Sequence, residues 1–305
     1  MSATRSVHFI GIGDTTLLNL AIALKKKGFS VTGSDITLEA PVREELLKHG
    51  LLPSGPGWFP EKIHRGITTV VAGPVTEKNN PELEAARKAG IPVYTYPEFV
   101  YLLATDKQRI VVAGSRGKAG LTAMVLFTLK YANRPFDYII NRPLKWLDGT
   151  VQLTDAPIII IEGDESPGPL DNRAGFLHYN HHIGLICSIN WDKTNLFSSE
   201  EEYVKQFDEF GDRTPKGGLL FYCENNTLAT VVGAKQRADV LSIPYKIHPH
   251  TSEQGNHFIV TGKNKIPVQV YGTQNFESMS GAMELLKRIG VPADKFYEAI
   301  QHFSF

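Results

Sequence analysis

Cysteine is scarce: the 305 residues carry only Cys187 and Cys223, with no CxxC pair. That excludes a disulfide framework and points to a reducing compartment. An excess of one charge is missing too, because 32 Lys and Arg face 32 Asp and Glu. A polyanion binder that relies on a bulk positive field is thereby excluded, and no nucleic-acid partner is expected. Long apolar runs are absent. The strongest, Ile158–Ile161, is far too short to cross a bilayer, and MSATRSVHFIGIG offers no signal-peptide core. The expectation is a cytoplasmic protein with no membrane partner. What is present is ordinary globular material, 42% hydrophobic and 21% charged, enough for about two domains at roughly 150 residues each.

Strand and helix signals alternate along the chain. Ser6–Ile10 is a β-rich run ending at Gly11-Ile12-Gly13, and Leu17–Lys27 reads as a helix with a cationic end stopped by Gly28. Ser30–Thr32 leads into Gly33-Ser34-Asp35, Pro41–His49 reads as a helix, and Ile67–Ala72 as a third strand. Helix Pro81–Ala89 and strand Pro92–Tyr94 follow. This spacing predicts a parallel sheet with right-handed crossovers over residues 1–104. After the polar connector Thr105–Lys107 the pattern restarts. Strand Arg109–Ala113 precedes a glycine turn and a helix of about ten residues from Leu121, and Ala156–Ile161, Ile183–Ile189 and Gly218–Tyr222 read as further strands. Residues 251–270 read as an antiparallel hairpin, and 277–289 and 292–303 as helices. The fold class is α/β: a Rossmann-like parallel-sheet domain over 1–104, then a larger P-loop-like α/β domain over 105–305.

Two glycine turns stand where phosphates bind in such folds. In Gly11-Ile12-Gly13-Asp14-Thr15-Thr16, glycines permit a tight turn that brings helix amides against an anion, and Asp35, 22 residues after Gly13, is placed to accept ribose hydroxyls. The spacing fits a nucleotide site and a plain βα turn equally well. Gly114-Ser115-Arg116-Gly117-Lys118-Ala119-Gly120 has the form of a short P-loop, with a lysine to bridge phosphates. The hydroxyl that normally follows that lysine and binds magnesium is replaced by Ala119. The residues alone favour an anion-tolerant turn over a working ATPase loop.

In order, VHFIGIG, GFSVTGSD, NNPELEAARKAGIPVYTYPEFV, VVAGSRGKAGLTAM, IIEGDES and YGTQN resemble the Mur ligases, cytoplasmic ATP-dependent enzymes that join amino acids or peptides to UDP-N-acetylmuramate in peptidoglycan synthesis. The pattern is similar to the alanine-adding and murein peptide ligase branches, and it runs from about Val7 to Phe303. The resemblance implies that Gly11, Gly13, Ser34 and Asp35 face the UDP end of UDP-N-acetylmuramate or a related UDP-sugar. It implies that Gly114, Ser115, Gly117 and Lys118 hold ATP phosphates and that Glu162 binds a catalytic magnesium. Asp192 matches the acid of an Asp-His pair, and Asn275 the asparagine of a His-Asn element near adenine. Lys118, Glu162 and Asp192 would then be the catalytic set.

The departures weigh against full activity. Asp14, Thr15 and Thr16 interrupt the family's small-residue phosphate turn, Ala119 replaces the hydroxyl, Lys193 the paired histidine and Gln274 the histidine before Asn275. The chain stops at AIQHFSF, where the family continues into a C-terminal ligase domain, so that domain is expected to be absent. The resulting expectation is a catalytically impaired homologue that retains at most nucleotide or UDP-sugar binding. An active ligase with a modified metal site, its third domain missing or supplied in trans, and a scaffold docking to an active paralogue are the competing readings. Elsewhere, His178, His181 and His182 read as surface or boundary histidines, because no Cys or acid completes a metal set. Asp164 and Glu165 read equally as ligands or as a solvated loop. Neither cysteine has a glycine-turn context in the sequence, and Glu200–Glu202 reads as the acidic first turn of a helix.

Overall fold

The computed structural model describes residues 5–74, 76–168, 170–192 and 197–305. The chain divides into two compact units. Met1–Thr105 groups with Val151–Thr154 and Pro167–Arg173, and Asp106–Thr150 groups with Asp155–Ser166 and Ala174–Phe305.

The first unit alternates β1 (Ser6–Ile10), α1 (Thr15–Lys26), β2 (Ser30–Ser34), α2 (Val42–Lys48), β3 (Thr69–Ala72), α3 (Pro81–Ala89), β4 (Val93–Thr95) and α4 (Tyr96–Leu103). Its sheet runs β2-β1-β3-β4, every ladder parallel. The order reverses at β1, which opens a crevice at the carboxyl ends of β1 and β3 where such sheets take ligands. Local signals set the boundaries. Asn80 caps α3 with Pro81 in its first turn, and Gly90 ends it at φ 68° in the left-handed region that glycine tolerates. Helix α4 was not expected from the sequence, although Thr95 and Glu98 form a capping box, with Glu98 Oε2 accepting from Thr95 N at 2.7 Å.

Along the rest of the chain come β5 (Gln108–Ala113), α5 (Lys118–Tyr131), β6 (Asp137–Ile139), β7 (Val151–Gln152, within the stretch that groups with the first unit), β8 (Ile158–Glu162), β9 (Ile183–Ile186), α6 (Glu200–Asp212), β10 (Leu219–Cys223), α7 (Thr227–Gly233) and β11 (Leu241–Tyr245). They are followed by β12 (His250–Glu253), β13 (Asn256–Thr261), β14 (Asn264–Val268), α8 (Thr273–Arg288) and α9 (Ala293–Ile300). The main sheet orders β11-β10-β9-β5-β8-β6-β7, and the ladders from β11 through β6 are parallel. Strand β5 therefore sits centrally, flanked by β8 and β9, with its glycine loop at the carboxyl edge. The expected hairpin is a three-stranded antiparallel sheet, β12-β13-β14.

Helix α5 begins at Lys118 rather than Leu121, so the loop lysine is itself the first helical residue. Leu121 to Leu126, Thr128 and Leu129 of α5 are buried, and it packs with α8 and α9 in one apolar core. Such burial nearly all round erases the amphipathic stripe that marks a surface helix. Lys107, read as part of a polar connector, is buried; its Nζ meets Asp137 at 3.0 Å and donates to Ala156 O at 2.7 Å. Pairing lets two charges be buried together.

The histidine reading is corrected at one position. His181 is 2% exposed, its ring centroid 4.1 Å from that of Phe210 and its Nε2 2.9 Å from Thr214 Oγ1. Burial, with a smaller repulsion from His182, Arg109 and Arg213, holds its pKa down at about 3. The unfolded chain takes up that proton near the ordinary pKa of 6.5, so the neutral ring's contribution is complete above that pH and is lost as pH falls toward 3. One such group gives stability a slope of up to about 1.4 kcal/mol per pH unit in that window. Urea unfolding at pH 4 to 6 is expected to show His181→Gln with a shallower pH dependence than the parent, by close to one proton.

Candidate functional site

The first glycine turn is saturated from within. Gly11 N and Ile12 N donate to Ser34 O at 2.8 and 3.0 Å, and Asp14 N donates to Gly11 O at 3.0 Å. Asp35 Oδ2 takes Gly13 N at 2.8 Å, and Asp14 Oδ1 takes Thr16 N and Leu17 N at 2.8 and 3.1 Å. A Cβ on Gly13 would lie 2.7 Å from Asp35 Oδ2, so only glycine admits this carboxylate. The amides a phosphate would use are bonded to two acids, which also repel an anion.

Ser34 turns inward: it is fully buried, and its Oγ donates to Glu82. Glu82 also accepts from Phe59 N at 2.7 Å and lies 3.4 Å from His8 Nε2. Burial alone would push this carboxyl up, but hydrogen bonds from His8, Ser34 and Phe59 outweigh it and hold the carboxyl below its ordinary value. Beside the turn, a cavity of about 330 Å³ is lined by Asp35, Ile36, Trp58, Glu77 and Asn80 among others. Its walls include two acids and neither lysine nor arginine. Gly11 and Asp35 thus share a cavity, Gly13 lies against Asp35, and Ser34 belongs to the buried network behind them.

The second loop is built differently. Ser115 N donates to Ser188 O and Arg116 N to Ser188 Oγ, both at 3.0 Å, which ties the loop to the chain leaving β9. Ser115 Oγ accepts from Asn190 N at 2.8 Å and lies 2.9 Å from Tyr203 OH. Gly117, at φ 86°, opens α5, and no side chain caps the helix. The leading amides of Lys118, Ala119 and Gly120 therefore keep the orphan character and partial positive charge of a helix start. A cavity of about 270 Å³ adjoins the loop, with Arg116, Gly117, Asn226, Tyr245, Gln274 and Glu277 among its lining residues.

Gln274, not its neighbour Asn275, faces this cavity; Asn275 Nδ2 donates to Tyr271 O at 2.6 Å, and its Oδ1 lies toward Gly120. Cys187 has no glycine-turn context in the sequence, yet in space it packs against the loop, since a Cβ on Gly114 would lie 2.9 Å from its Cβ. Burial pushes its thiol far up, leaving it an inert packing group. Ser188, Tyr203 and Tyr245 also converge on the loop, and no local spacing in the sequence marks them.

Glu162 ends β8 beside β5, where it is 5% exposed and accepts from Asn141 N at 3.1 Å. Burial pushes its carboxyl up, against the opposing pull of the Asn141 N–H, Lys118 and Arg142. Asp192 is exposed, and Lys193 lies outside the described residues. Among the described residues no three His, Cys, Asp or Glu side chains stand together as a metal set. Ala119 offers no side-chain oxygen after Lys118, so of the hydroxyl and carboxylate that would hold a magnesium ion here only the Glu162 carboxylate is present. No helix among the described residues is long and apolar enough to cross a membrane.

Two parallel α/β units, each with a glycine turn at the carboxyl edge of its sheet and the second with a lysine-bearing helix start, define the class. The Mur ligase family, catalytic domain, matches residues 6–108. The UDP-N-acetylmuramate–L-alanine ligase of Arthrobacter sp. (strain FB24) is 28% identical over 98% of this chain and 64% of its own length. The corresponding enzyme of Desulfitobacterium hafniense is 25% identical over 98% of this chain and 67% of its own. The chain thus spans about two thirds of the length of these relatives. In fold it resembles the UDP-N-acetylmuramate:L-alanyl-γ-D-glutamyl-meso-diaminopimelate ligase of Neisseria meningitides, with a TM-score of 0.86, 21% identity and 99% of both chains covered. It also resembles the UDP-N-acetylmuramate-alanine ligase of Thermotoga maritima, at 0.75, 20% identity, 98% of this chain and 68% of that one. The chain is thus similar to Mur ligases along nearly its whole length.

The closed first turn yields a direct test. Replacing an aspartate cap by glycine costs a few tenths of a kcal/mol, so Asp14→Gly is expected to melt at the same temperature as the parent or slightly below it. The same change frees two amides and removes one repelling charge. Isothermal titration is expected to show tighter UDP-N-acetylmuramate binding in Asp14→Gly; tight binding by the parent that the substitution leaves unimproved would refute this account of the turn.

Proposed function

We propose that this chain is a catalytically impaired Mur ligase homologue of peptidoglycan synthesis or recycling in the cytoplasm, one that retains nucleotide binding at its second glycine loop. The observation that carries this reading is the contrast between the two turns. The first spends its amides on Asp14 and Asp35, whereas the second leaves an uncapped helix start beside Lys118 and a cavity. Polyphosphate suits that second site through backbone amides and helix polarity, neither of which needs a metal. The ligation of the relatives is a separate matter. Ala119 removes one metal oxygen and leaves the backbone amides of the loop in place, so the loss falls on Mg²⁺ rather than on the ATP phosphates. A UDP-sugar, if taken, binds weakly, because Asp14 and Asp35 occupy the turn that would meet its diphosphate.

A second reading, an active ligase with a modified metal site, draws on Glu162 standing at the strand end next to β5. The two separate in titrations with ATP in EDTA, Mg-ATP and UDP-N-acetylmuramate, followed by a phosphate-release assay with all substrates together. ATP binding that magnesium improves little, with no phosphate release, is the expected result. Release that depends on UDP-N-acetylmuramate supports the active enzyme, and binding of neither ligand supports a scaffold that docks to an active paralogue. Ala119→Thr restores a hydroxyl at the second residue of α5 and is expected to make ATP binding more magnesium-dependent, in the same titration, than it is in the parent.

A further inference from the structure

Lys118 is already engaged. Its Nζ donates to Gly114 O at 3.0 Å and to Glu165 Oε2 at 2.6 Å, and the two side chains of this ion pair are 14% and 24% exposed. In a glycine-loop phosphate site the lysine is the group that reaches the outer phosphates. We propose that Glu165 is a built-in occupant of that position: its carboxylate stands in for a phosphoryl group on Lys118 and must swing away before polyphosphate binds. This rests on the reading above, that the second loop takes nucleotide phosphates.

The segment carrying Glu165 is pinned on both sides. Gly163 N donates to Val112 O at 2.8 Å, which holds the chain against β5 as it leaves β8. Asp164 O accepts from Phe176 N at 2.9 Å, Asp164 Oδ1 takes Ser166 N at 2.9 Å, and Ser166 O accepts from Gly175 N at 3.1 Å. The backbone thus presents Glu165 to Lys118 while its side chain remains partly open to solvent and able to rotate out. Local charge adds to the effect. Glu162 feels Lys118 and Arg142 as attractive and Glu165 as repulsive, so two acids and two bases share this edge of the sheet. A polyphosphate entering with Glu165 in place meets a neutralised lysine and an additional negative charge. At a partly shielded site such interactions are screened less than on an open surface.

The test uses sodium tripolyphosphate and ATP, both in EDTA, titrated calorimetrically into the full chain. Glu165→Gln keeps the shape and removes the charge; Glu165→Ala removes both, and thermal melting confirms that each variant folds. Both substitutions are expected to tighten tripolyphosphate binding by about tenfold. That gain is expected to vanish in a Lys118→Met background, a coupling that a purely structural role for Glu165 would not produce. A variant that binds where the parent does not gives the same support. Unchanged or weaker binding in both variants, with a parent that binds ATP, overturns the role of Glu165 and leaves the nucleotide reading standing. If neither parent nor variants bind either probe, the nucleotide reading falls and this inference falls with it.

Discussion

The close approach of the Gly114–Gly117 turn to the end of β9 is the constraint on which the second unit depends. Gly114 sits at φ 149°, and a Cβ there would lie 2.9 Å from Cys187 Cβ and 3.0 Å from Ser188 N. Ser188 then binds the turn four times, through its carbonyl to Ser115 N and Ser115 Oγ and through its hydroxyl to Arg116 N and Arg116 O. Only a chain without a side chain at 114 can come so near. This joint fixes where β5 ends and where α5 begins. It therefore fixes how α5, buried nearly all round, lies in the core with α8 and α9. The orientation of the helix start, the placing of Lys118 and the cavity wall at Gly117 all follow from it.

The two glycine turns share one local grammar, a strand, a glycine turn and a helix, yet they end in opposite electrostatic states. In the first, Asp14 caps α1 and Asp35 reaches across from the end of β2, so the helix start is satisfied internally. That arrangement stabilises the turn and makes it a poor host for anions. In the second, no side chain caps α5, and the acid that comes near pairs with the lysine rather than with the amides. A cap is part of the helix terminus, whereas a lysine–glutamate pair can open by side-chain rotation. The first turn is closed by carboxylates bonded to its own amides, and the second is only occupied.

The relation to the Mur ligases bears on the two turns differently. The matched family segment, residues 6–108, ends within β5 and does not reach the second loop. The features that separate this chain from a simple nucleotide site are single side chains, Asp14 and Ala119 among them. Similarity in fold does not report on these, because a parallel sheet tolerates either residue at a turn.

Read by itself, the sequence determined the elements whose signals are local. Strand β1 and helix α3 fall at Ser6–Ile10 and Pro81–Ala89, as expected from their apolar runs, the Asn80-Pro81 start and the Gly90 stop. The acidic run at Glu200 begins α6, as its charge pattern implied, with Ser199 as the cap. The ordered motifs were legible too, and with them the α/β class. Other elements were not. Helix α4 carried a Thr95–Glu98 box but follows so closely on β4 that the two merge, and β6 is only three residues long. Buried helix α5 lost its periodicity, so its first turn read as loop. Only the tertiary structure decided what stands at the loop. Glu165 and Gln274 come from the far side of two separate crossovers, and Tyr203 comes from α6, which links β9 to β10. Local spacing governs turns and caps because those bonds close over a few residues. The partners of a phosphate loop are chosen by strand order, which brings together segments that no short stretch of sequence can pair.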